Sequence, residues 1–245
     1  ALHELYSFKV PGAEYSPQYK RHSWNGKKSF FTKKGVFKTG LLNRVVADLE
    51  KIEANLKIID NRSFSEKVAN YQFSGITYYD YQEKTIQNSL KEKRSVIKAP
   101  TAAGKTIIMA GLIKALQGRK MLLLFNAKQL LTQTYDFLLS LGIPNLGLCF
   151  ILGDIMLCTV QSIEKILDTH SDTEVLMVDE CHEFSNGKTT VAAIQAFSQA
   201  NYRFGFTATP PNQDISIFNL EGGLGPIYSV ATTKDLVEKG KLTKP

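Results

Sequence analysis

From about residue 76 onward, short apolar runs alternate with longer segments of helical periodicity. Short apolar runs between turn signals are typical of buried strands, and the periodic segments are typical of helices. Alternation of this kind gives right-handed crossovers and a parallel sheet with helices on both faces, so we predict an α/β fold. The predicted strands are 95–99, 121–125, 155–160, 175–178 and 203–207, and the predicted helices are 106–116, 129–141, 161–168 and 188–199.

The N-terminal part of the chain has a different pattern, in which turn signals separate short strand-like runs. Asn25-Gly26 is a strong signal for a type I′ hairpin, and a polar stretch at 60–65 is typical of a linker. The predicted strands here are 5–10, 29–32, 36–38 and 56–59, and the predicted helix is 41–54. We therefore expect a small α+β domain at residues 1–70, followed by the α/β domain at residues 71–245.

The excess positive charge of the chain lies in its N-terminal part. The formal net charge is +7, and residues 1–70 hold 13 of the 30 lysines and arginines but only 7 of the 23 acidic residues. Such asymmetry is typical of a protein that binds a polyanion, and nucleic acid is the first candidate. A solvated basic surface without a partner is the alternative, and charge alone does not choose between the two.

Composition also indicates where the protein works. No apolar run approaches the roughly 18 residues that a membrane span needs, and the N-terminus lacks the apolar stretch of a signal peptide. Cys149, Cys158 and Cys181 are scattered, without the spacing of metal ligands. We therefore expect reduced thiols in a cytoplasmic protein that does not contact membranes, in the host cytoplasm if a phage encodes it.

A phosphate-binding loop is predicted between the strand at 95–99 and the helix that follows it. Successive backbone N–H groups and a helix N-terminus form a site for anions, a lysine reaches the β- and γ-phosphates, and a hydroxyl binds Mg²⁺. The usual first glycine of the motif is replaced by Ala99, and a helix start that contains Gly-Lys-Thr by chance is the alternative. The predicted ATP-binding residues are Thr101, Ala102, Ala103, Gly104, Lys105 and Thr106.

Two adjacent acids follow the apolar strand at 175–178. Asp179 is suited to hold the Mg²⁺ that bridges the β- and γ-phosphates, and Glu180 is suited to orient and deprotonate the attacking water. A helix N-cap without a catalytic role is the alternative for an isolated acidic pair. We predict Lys105, Asp179 and Glu180 as the catalytic residues and Thr106 and Asp179 as the Mg²⁺ ligands.

Three motifs together resemble those of superfamily 2 helicases. Gly104-Lys105-Thr106, Asp179-Glu180-Cys181-His182 and Thr207-Ala208-Thr209 look like motifs I, II and III in their usual order. The resemblance implies a RecA-like lobe that uses ATP and Mg²⁺. It also implies that His182, Thr207 and Thr209 link the ATP site to the nucleic-acid site.

Other segments resemble the same superfamily at its nucleotide-base and nucleic-acid contacts. Gln82 follows Tyr81 at the position where the superfamily keeps a glutamine that binds adenine. Tyr79 stands where many relatives have an arginine. A surface glutamine at a helix start is the alternative for Gln82. The segments at 126–129 and 159–162 look like motif Ia and a "TxQS" element, for which ordinary helix caps are the alternative. The implied contacts to the nucleic-acid backbone are Lys128, Thr159 and Gln161.

The N-terminal part resembles the small domain of the phage UvsW-type recombination and repair helicases at 10–13, Tyr19 and 24–27, and the segments 220–226 and 234–237 extend the likeness. The family implies ATP-driven remodelling of branched or forked DNA. We expect DNA contacts from the basic residues near the predicted hairpin, and a hydrophobic plug is the alternative for the tryptophan among them. The candidates are Arg21, Trp24, Lys27 and Lys28.

The family also carries a second RecA-like lobe, which supplies arginine fingers. The residues after Pro210 are too few for such a lobe, and Arg203, at the start of a predicted strand, is the only arginine after the acid box. We therefore expect an N-terminal fragment that binds ATP but hydrolyses it weakly or not at all. The alternatives to a DNA helicase are an RNA helicase and an ATP-gated nucleic-acid-binding module without turnover.

Overall fold

The computed structural model describes residues 2–62, 64, 68–100, 103–148, 153–167, 169–185, 194 and 196–230. Nine strands lie in this part of the chain: β1 Ser7–Lys9, β2 Lys27–Ser29, β3 Arg94–Lys98, β4 Met121–Phe125, β5 Leu146–Leu148, β6 Ile155–Thr159, β7 Val175–Val178, β8 Tyr202–Thr207 and β9 Ile227–Ser229. The helices of the same residues are α1 Leu2–Leu5, α2 Pro17–Lys20, α3 Leu42–Glu50, α4 Asp80–Glu92, α5 Lys105–Ala115, α6 Lys128–Ser140, α7 Ile163–Ile166 and α8 Asp214–Leu224.

Seven strands form one parallel sheet in the order β5-β6-β4-β7-β8-β3-β9. The five strands predicted for this region are all present, each within one residue at either end, and the α/β fold class is confirmed. The sequence pattern did not indicate helices α4 and α8 or the short outer strands β5 and β9. Helix α7 is shorter than the predicted helix at 161–168, and most of the predicted helix at 188–199 lies outside the described residues.

The sheet is covered on both faces, which explains why β4 and β7 are apolar at every position. Successive side chains of a strand point to opposite faces. On β4, Leu123 and Phe125 enter a core that also contains residues of α4, α5 and α6, whereas Leu122 and Leu124 enter a second core with residues of α7 and α8. The phosphate loop and the acid box therefore extend from a rigid, two-sided core.

The N-terminal segment, residues 2–50, has a sheet of only two strands. Strands β1 and β2 are antiparallel, and the residues between them include α2, so Asn25-Gly26 does not join them as a two-residue hairpin. A third cluster of apolar residues lies here and is completed by Phe218 of α8. The predicted boundary at residue 70 stays a prediction, but the N-terminal segment packs directly on the α/β lobe.

Several N-terminal predictions were wrong in detail. The strand predicted at 29–32 shares only Ser29 with β2, which is Lys27–Ser29. The segment at 36–38 contributes only one isolated bridge, between Phe31 and Phe37. The helix predicted at 41–54 ends at Glu50. No strand forms at 56–59, because no neighbouring strand is available to pair with it, and Ile58 and Ile59 are 59% and 69% exposed. Each helix of the described residues is too short or too polar to cross a membrane.

Candidate nucleotide and nucleic-acid site

The predicted phosphate loop connects β3 to α5 at the carboxyl edge of the sheet. Gly104 precedes α5 with φ 75° and ψ 44°, a left-handed conformation that favours glycine. A Cβ atom at this position would lie 2.5 Å from Nε2 of Gln82. Ala103 is buried, and its N–H donates to the Pro100 carbonyl at 2.9 Å. Thr101 and Ala102, which were predicted to bind ATP, lie outside the described residues.

The acid box follows β7, next to the phosphate loop. The Asp179 N–H donates to the Leu124 carbonyl at 2.9 Å, so the sheet pairing continues to the first acid. Glu180 has φ 44°, which is strained for a residue with a side chain. Its carboxylate forms an ion pair with Lys105. Both acids line a cavity of about 390 Å³ together with Gly104, Lys105 and Thr106.

The surroundings of Asp179 suit a divalent cation. Burial raises the pKa of this carboxyl group, and the positive charge of Lys105 opposes that shift only in part. A bound cation offsets the cost of a desolvated carboxylate, and Mg²⁺ prefers carboxylate and hydroxyl oxygens. Asp179 and the Thr106 hydroxyl line the same cavity, so they fit the predicted role of Mg²⁺ ligands.

The three residues predicted to couple the sites are joined in one hydrogen-bond network. His182 Nδ1 lies 2.9 Å from Thr207 Oγ1 and 3.4 Å from Glu180 Oε2. The Thr209 N–H donates to Thr207 Oγ1 at 3.1 Å. The network connects the end of β8 to the second acid, although its role in coupling stays a prediction.

Gln82 is held against the phosphate loop. It is 5% exposed, its Nε2 donates to the Ala103 carbonyl at 3.1 Å, and its Oε1 accepts from the Tyr79 N–H at 3.0 Å. The Tyr81 hydroxyl donates to the same Ala103 carbonyl at 3.1 Å. These contacts stabilise the loop from α4, and the binding of adenine by Gln82 stays a prediction.

Arg203 is a structural residue of β8. Its guanidinium is buried and donates to the carbonyls of Ala200 and Ile194 at 2.8 Å and of Gly223 at 3.2 Å. Burial lowers its pKa to about 10. Because these donors are engaged by the backbone, Arg203 is not placed to stabilise a transferring phosphoryl group.

The predicted nucleic-acid contacts of the lobe lie at the same edge of the sheet as the ATP site. Lys128 begins α6 shortly after β4. Thr159 ends β6, the neighbour of β4, and Gln161 follows it. Lys128 and Gln161 are exposed, as backbone contacts require. Asn126, in the same loop as Lys128, donates to Glu183 Oε2 at 2.6 Å. Sequence reasoning missed Glu183, and no local signal could have paired two residues so far apart in the chain.

The four N-terminal candidates divide into two groups. The first group is Arg21, Trp24 and Lys27, of which Arg21 and Lys27 are exposed. The half-buried Trp24 donates from Nε1 to the Lys27 carbonyl at 2.9 Å and lines an open depression of about 470 Å³. Lys28 points the other way, toward α8, where its Nζ donates to Asn219 Oδ1 at 2.7 Å. Burial lowers the pKa of Lys28.

These features define the first RecA-like lobe of a superfamily 2 helicase. The family model of the type III restriction enzyme res subunit matches residues 75–212, which is more than half of the chain and includes Gln82, the phosphate loop, the acid box and Thr209. The chain therefore belongs to this family.

Known relatives agree with this assignment. The chain is similar to the ATP-dependent DNA helicase uvsW of Enterobacteria phage T4, with 22% identity over 274 residues that include 99% of this chain and 54% of the helicase. It is 28% identical over 142 residues to the DNA 3′-5′ translocase XPB2 of Sulfurisphaera tokodaii, which covers 55% of this chain and 31% of the translocase. The chain thus spans about half of the first relative's length and less of the second's.

Solved structures show the same fold. The crystal structure of the UvsW helicase from bacteriophage T4 matches with a TM-score of 0.75 and 18% identity over 93% of this chain and 91% of that chain. A Sulfolobus solfataricus SWI2/SNF2 ATPase core in complex with double-stranded DNA matches with a TM-score of 0.54 and 16% identity over 65% of this chain and 38% of that chain. Because 93% of the chain is matched, the first match includes most of the N-terminal segment.

Proposed function

We propose that this chain is the ATP-binding part of a DNA helicase or translocase that remodels branched or forked DNA in recombination and repair. The observation that carries the proposal is the joined arrangement of Lys105, Glu180, His182 and Thr207 at the carboxyl edge of the sheet. The arrangement brings a lysine suited to bind the γ-phosphate next to an acid suited to activate water, which are the two groups that ATP hydrolysis requires. The similarity to a phage DNA helicase along nearly the whole chain supports DNA as the substrate.

The chemistry follows from the positions of the charged side chains. Lys105 pairs with Glu180, and a γ-phosphate would compete for the same ammonium group. The freed Glu180 carboxylate would then accept the proton of a water molecule that attacks the γ-phosphorus as the bond to ADP breaks. Mg²⁺, held by Thr106 and Asp179, would neutralise charge on the phosphates. His182 and Thr207 keep Glu180 next to the end of β8.

Hydrolysis at a useful rate needs a further cation. An arginine finger contributes on the order of 10³–10⁵ in rate, and Arg203 is engaged by backbone carbonyls. We propose that a second RecA-like lobe supplies this group, so that residues 1–245 alone bind ATP but turn it over slowly. The proposal concerns the whole protein. This chain spans about half the length of its phage relative.

The N-terminal segment and the lobe loops would hold the DNA. Arg21, Lys27 and Lys128 are exposed and positively charged, as phosphate contacts require. Trp24 lies beside the open depression, where an aromatic side chain can contact a base or sugar. The basic balance of residues 1–70 supports a polyanion at this surface.

The test uses Glu180→Gln in the full-length protein. We expect ATP binding to be preserved and steady-state hydrolysis to fall about 10³-fold, because a general base contributes about 10²–10⁴ in rate. Glu164→Gln, an exposed substitution on α7, is the matched control and should hydrolyse ATP as the wild type does. Unwinding is then compared on forked DNA and duplex RNA. Equal ATP turnover by wild type and Glu180→Gln would refute the site, and unwinding of RNA alone would refute the substrate.

A further inference from the structure

Helix α8 lies between the N-terminal segment and the acid box. On the N-terminal side, Phe218 packs against Tyr6, Phe8 and Phe30, with ring centroids 5.4, 4.7 and 5.3 Å away. On the other side, α8 contacts the 3₁₀ turn Cys181–Ser185, which contains the last residues of the acid box. The helix is therefore placed to connect the two regions physically.

The N-terminal segment approaches α8 closely at two residues of the segment. A Cβ atom on Gly40 would lie 1.9 Å from the Glu221 carbonyl oxygen, so only glycine allows this contact. Arg44 binds both carboxylate oxygens of Glu221, which is 4% exposed, and its Nη2 lies 2.9 Å from Oε1. Close-packed contacts of this kind transmit displacements instead of absorbing them.

Asn219 joins the two regions by hydrogen bonds from opposite ends of one amide. Its Oδ1 accepts from Lys28 Nζ at 2.7 Å, and its Nδ2 donates to the Ser185 carbonyl at 2.9 Å. An ammonium group can only donate and a carbonyl can only accept, so the partners fix the orientation of the amide. Asn219 is 7% exposed, and its hydrogen bond to the Ser185 carbonyl is buried.

The contact continues from Ser185 to the second acid. Ser185 Oγ donates to the His182 carbonyl at 2.7 Å, and His182 Nδ1 lies 3.4 Å from Glu180 Oε2. Glu180 itself has φ 44°, a conformation that persists only where surrounding contacts hold it. The turn Cys181–Ser185 supplies such contacts directly after Glu180.

We propose that Asn219 is a positioning residue for ATP hydrolysis. Through Ser185 it holds the acid-box turn in the geometry that presents Glu180, and through Lys28 it makes that geometry depend on the docking of the N-terminal segment. DNA bound to this segment would thereby act on the hydrolytic site through α8. The inference rests on the proposed ATPase function.

Two substitutions of Asn219 separate its role from a merely structural one. Asn219→Asp keeps an oxygen for Lys28 but has no N–H for the Ser185 carbonyl, and Asn219→Ala removes both contacts. In the full-length protein we expect Asn219→Asp to lower kcat about tenfold, the effect of one lost hydrogen bond, and Asn219→Ala, which loses two, to lower it further. Both variants should leave KM for ATP within about twofold of wild type. Lys28→Met should lower kcat less, since the contact to Ser185 remains.

Val45→Ala is the matched control for stability. Val45 is buried in the N-terminal cluster on α3 and has no polar side-chain atom, so its truncation destabilises the protein without removing a hydrogen bond on the path between Lys28 and Glu180. We expect this variant to unfold at a lower temperature than wild type and to keep the wild-type kcat while folded. An equal loss of kcat in Val45→Ala and Asn219→Asp would overturn the inference, as would a wild-type kcat in Asn219→Asp.

Hydrogen exchange on residues 1–245 gives a readout that does not require turnover. We expect the amides of 181–185 to exchange faster in Asn219→Asp than in wild type, and unchanged exchange would overturn the inference. The two proposals fail separately. If the wild-type protein does not hydrolyse ATP, the proposed function fails; if it does and Asn219→Asp matches it, only the role of Asn219 fails.

Discussion

The α/β lobe and the N-terminal segment of this protein bury their apolar residues in different ways. In the lobe, seven parallel strands have a core on each face, and both cores are completed by helices of the lobe itself. The N-terminal segment has two short strands, and its single cluster needs Phe218 from α8. A two-stranded sheet is marginally stable alone in water, so the segment depends on the lobe for its position. We therefore expect the proposed ATP binding to need the lobe alone, and the proposed DNA-binding surface of the segment to depend on its contact with the lobe.

The strongest test of this difference is Lys105→Ala in residues 1–245. We expect ATP affinity to fall about 100-fold, because a hydrogen bond to a charged group contributes about 1.5–3 kcal/mol. Affinity for forked DNA without nucleotide should stay near that of wild type, since the N-terminal surface is unchanged. Lys91→Ala, exposed at the far end of α4, is the control. Fluorescent-nucleotide and DNA titrations measure both, and unchanged ATP affinity in Lys105→Ala would remove the lobe's assigned function.

A second substitution, Phe218→Ala, acts on the contact between the regions. Phe218 is 9% exposed and contacts three aromatic rings, and loss of a buried Phe side chain costs about 3–5 kcal/mol. We expect residues 2–50 to become sensitive to proteolysis while the lobe stays resistant and binds ATP. Leu139→Ala, which is 55% exposed on α6, should leave the digestion pattern unchanged. A lobe digested as fast as the N-terminal segment would show that the two regions unfold as one unit.

The salt dependence of DNA binding tests which face of the N-terminal segment meets DNA. Arg21→Gln and Lys27→Gln should each flatten the log–log slope of affinity against salt concentration by about 0.9. Lys28→Gln is the internal control, because Lys28 points toward α8, and its slope should match that of wild type. Filter-binding titrations at several salt concentrations measure the slopes. Equal slopes for all three variants and wild type would mean that the basic face is only solvated.

The smallest expected effect concerns the buried acid of the lobe. Burial raises the pKa of Asp179, so its carboxyl group binds a proton more tightly in the folded state than in the unfolded state. The ionised carboxylate therefore destabilises the nucleotide-free protein at neutral pH. Asp179→Asn should raise the unfolding temperature at neutral pH. The gain should shrink as the pH falls through the raised pKa toward about 4, the ordinary value for aspartate. Thermal unfolding across this range measures it, and a gain that grows on acidification would contradict the sign.

The central strands and the positions of the candidate phosphate loop and acid box could be predicted from the sequence because their signals are local. A strand such as Val175–Val178 is apolar at every position, and the acids that follow it must lie at the carboxyl edge of the sheet. The strand predicted at 56–59 was wrong because its formation depends on a partner strand, which is not a local signal. An apolar run becomes a strand only where a neighbour can pair with it, and the sequence does not show which neighbours are available.

Tertiary structure decided the contacts between distant residues. Lys28 and Asn219 are 191 positions apart, and only the docking of the N-terminal segment on α8 turns that lysine away from the basic surface. The same docking buries Glu221 against Arg44, and folding of β8 commits Arg203 to backbone carbonyls. Local periodicity determines which face of a strand or helix is apolar, whereas the partner of a single polar group depends on which surfaces meet. The sequence by itself therefore determined the lobe and its phosphate and acid motifs, and the structure decided how the N-terminal segment is attached to them.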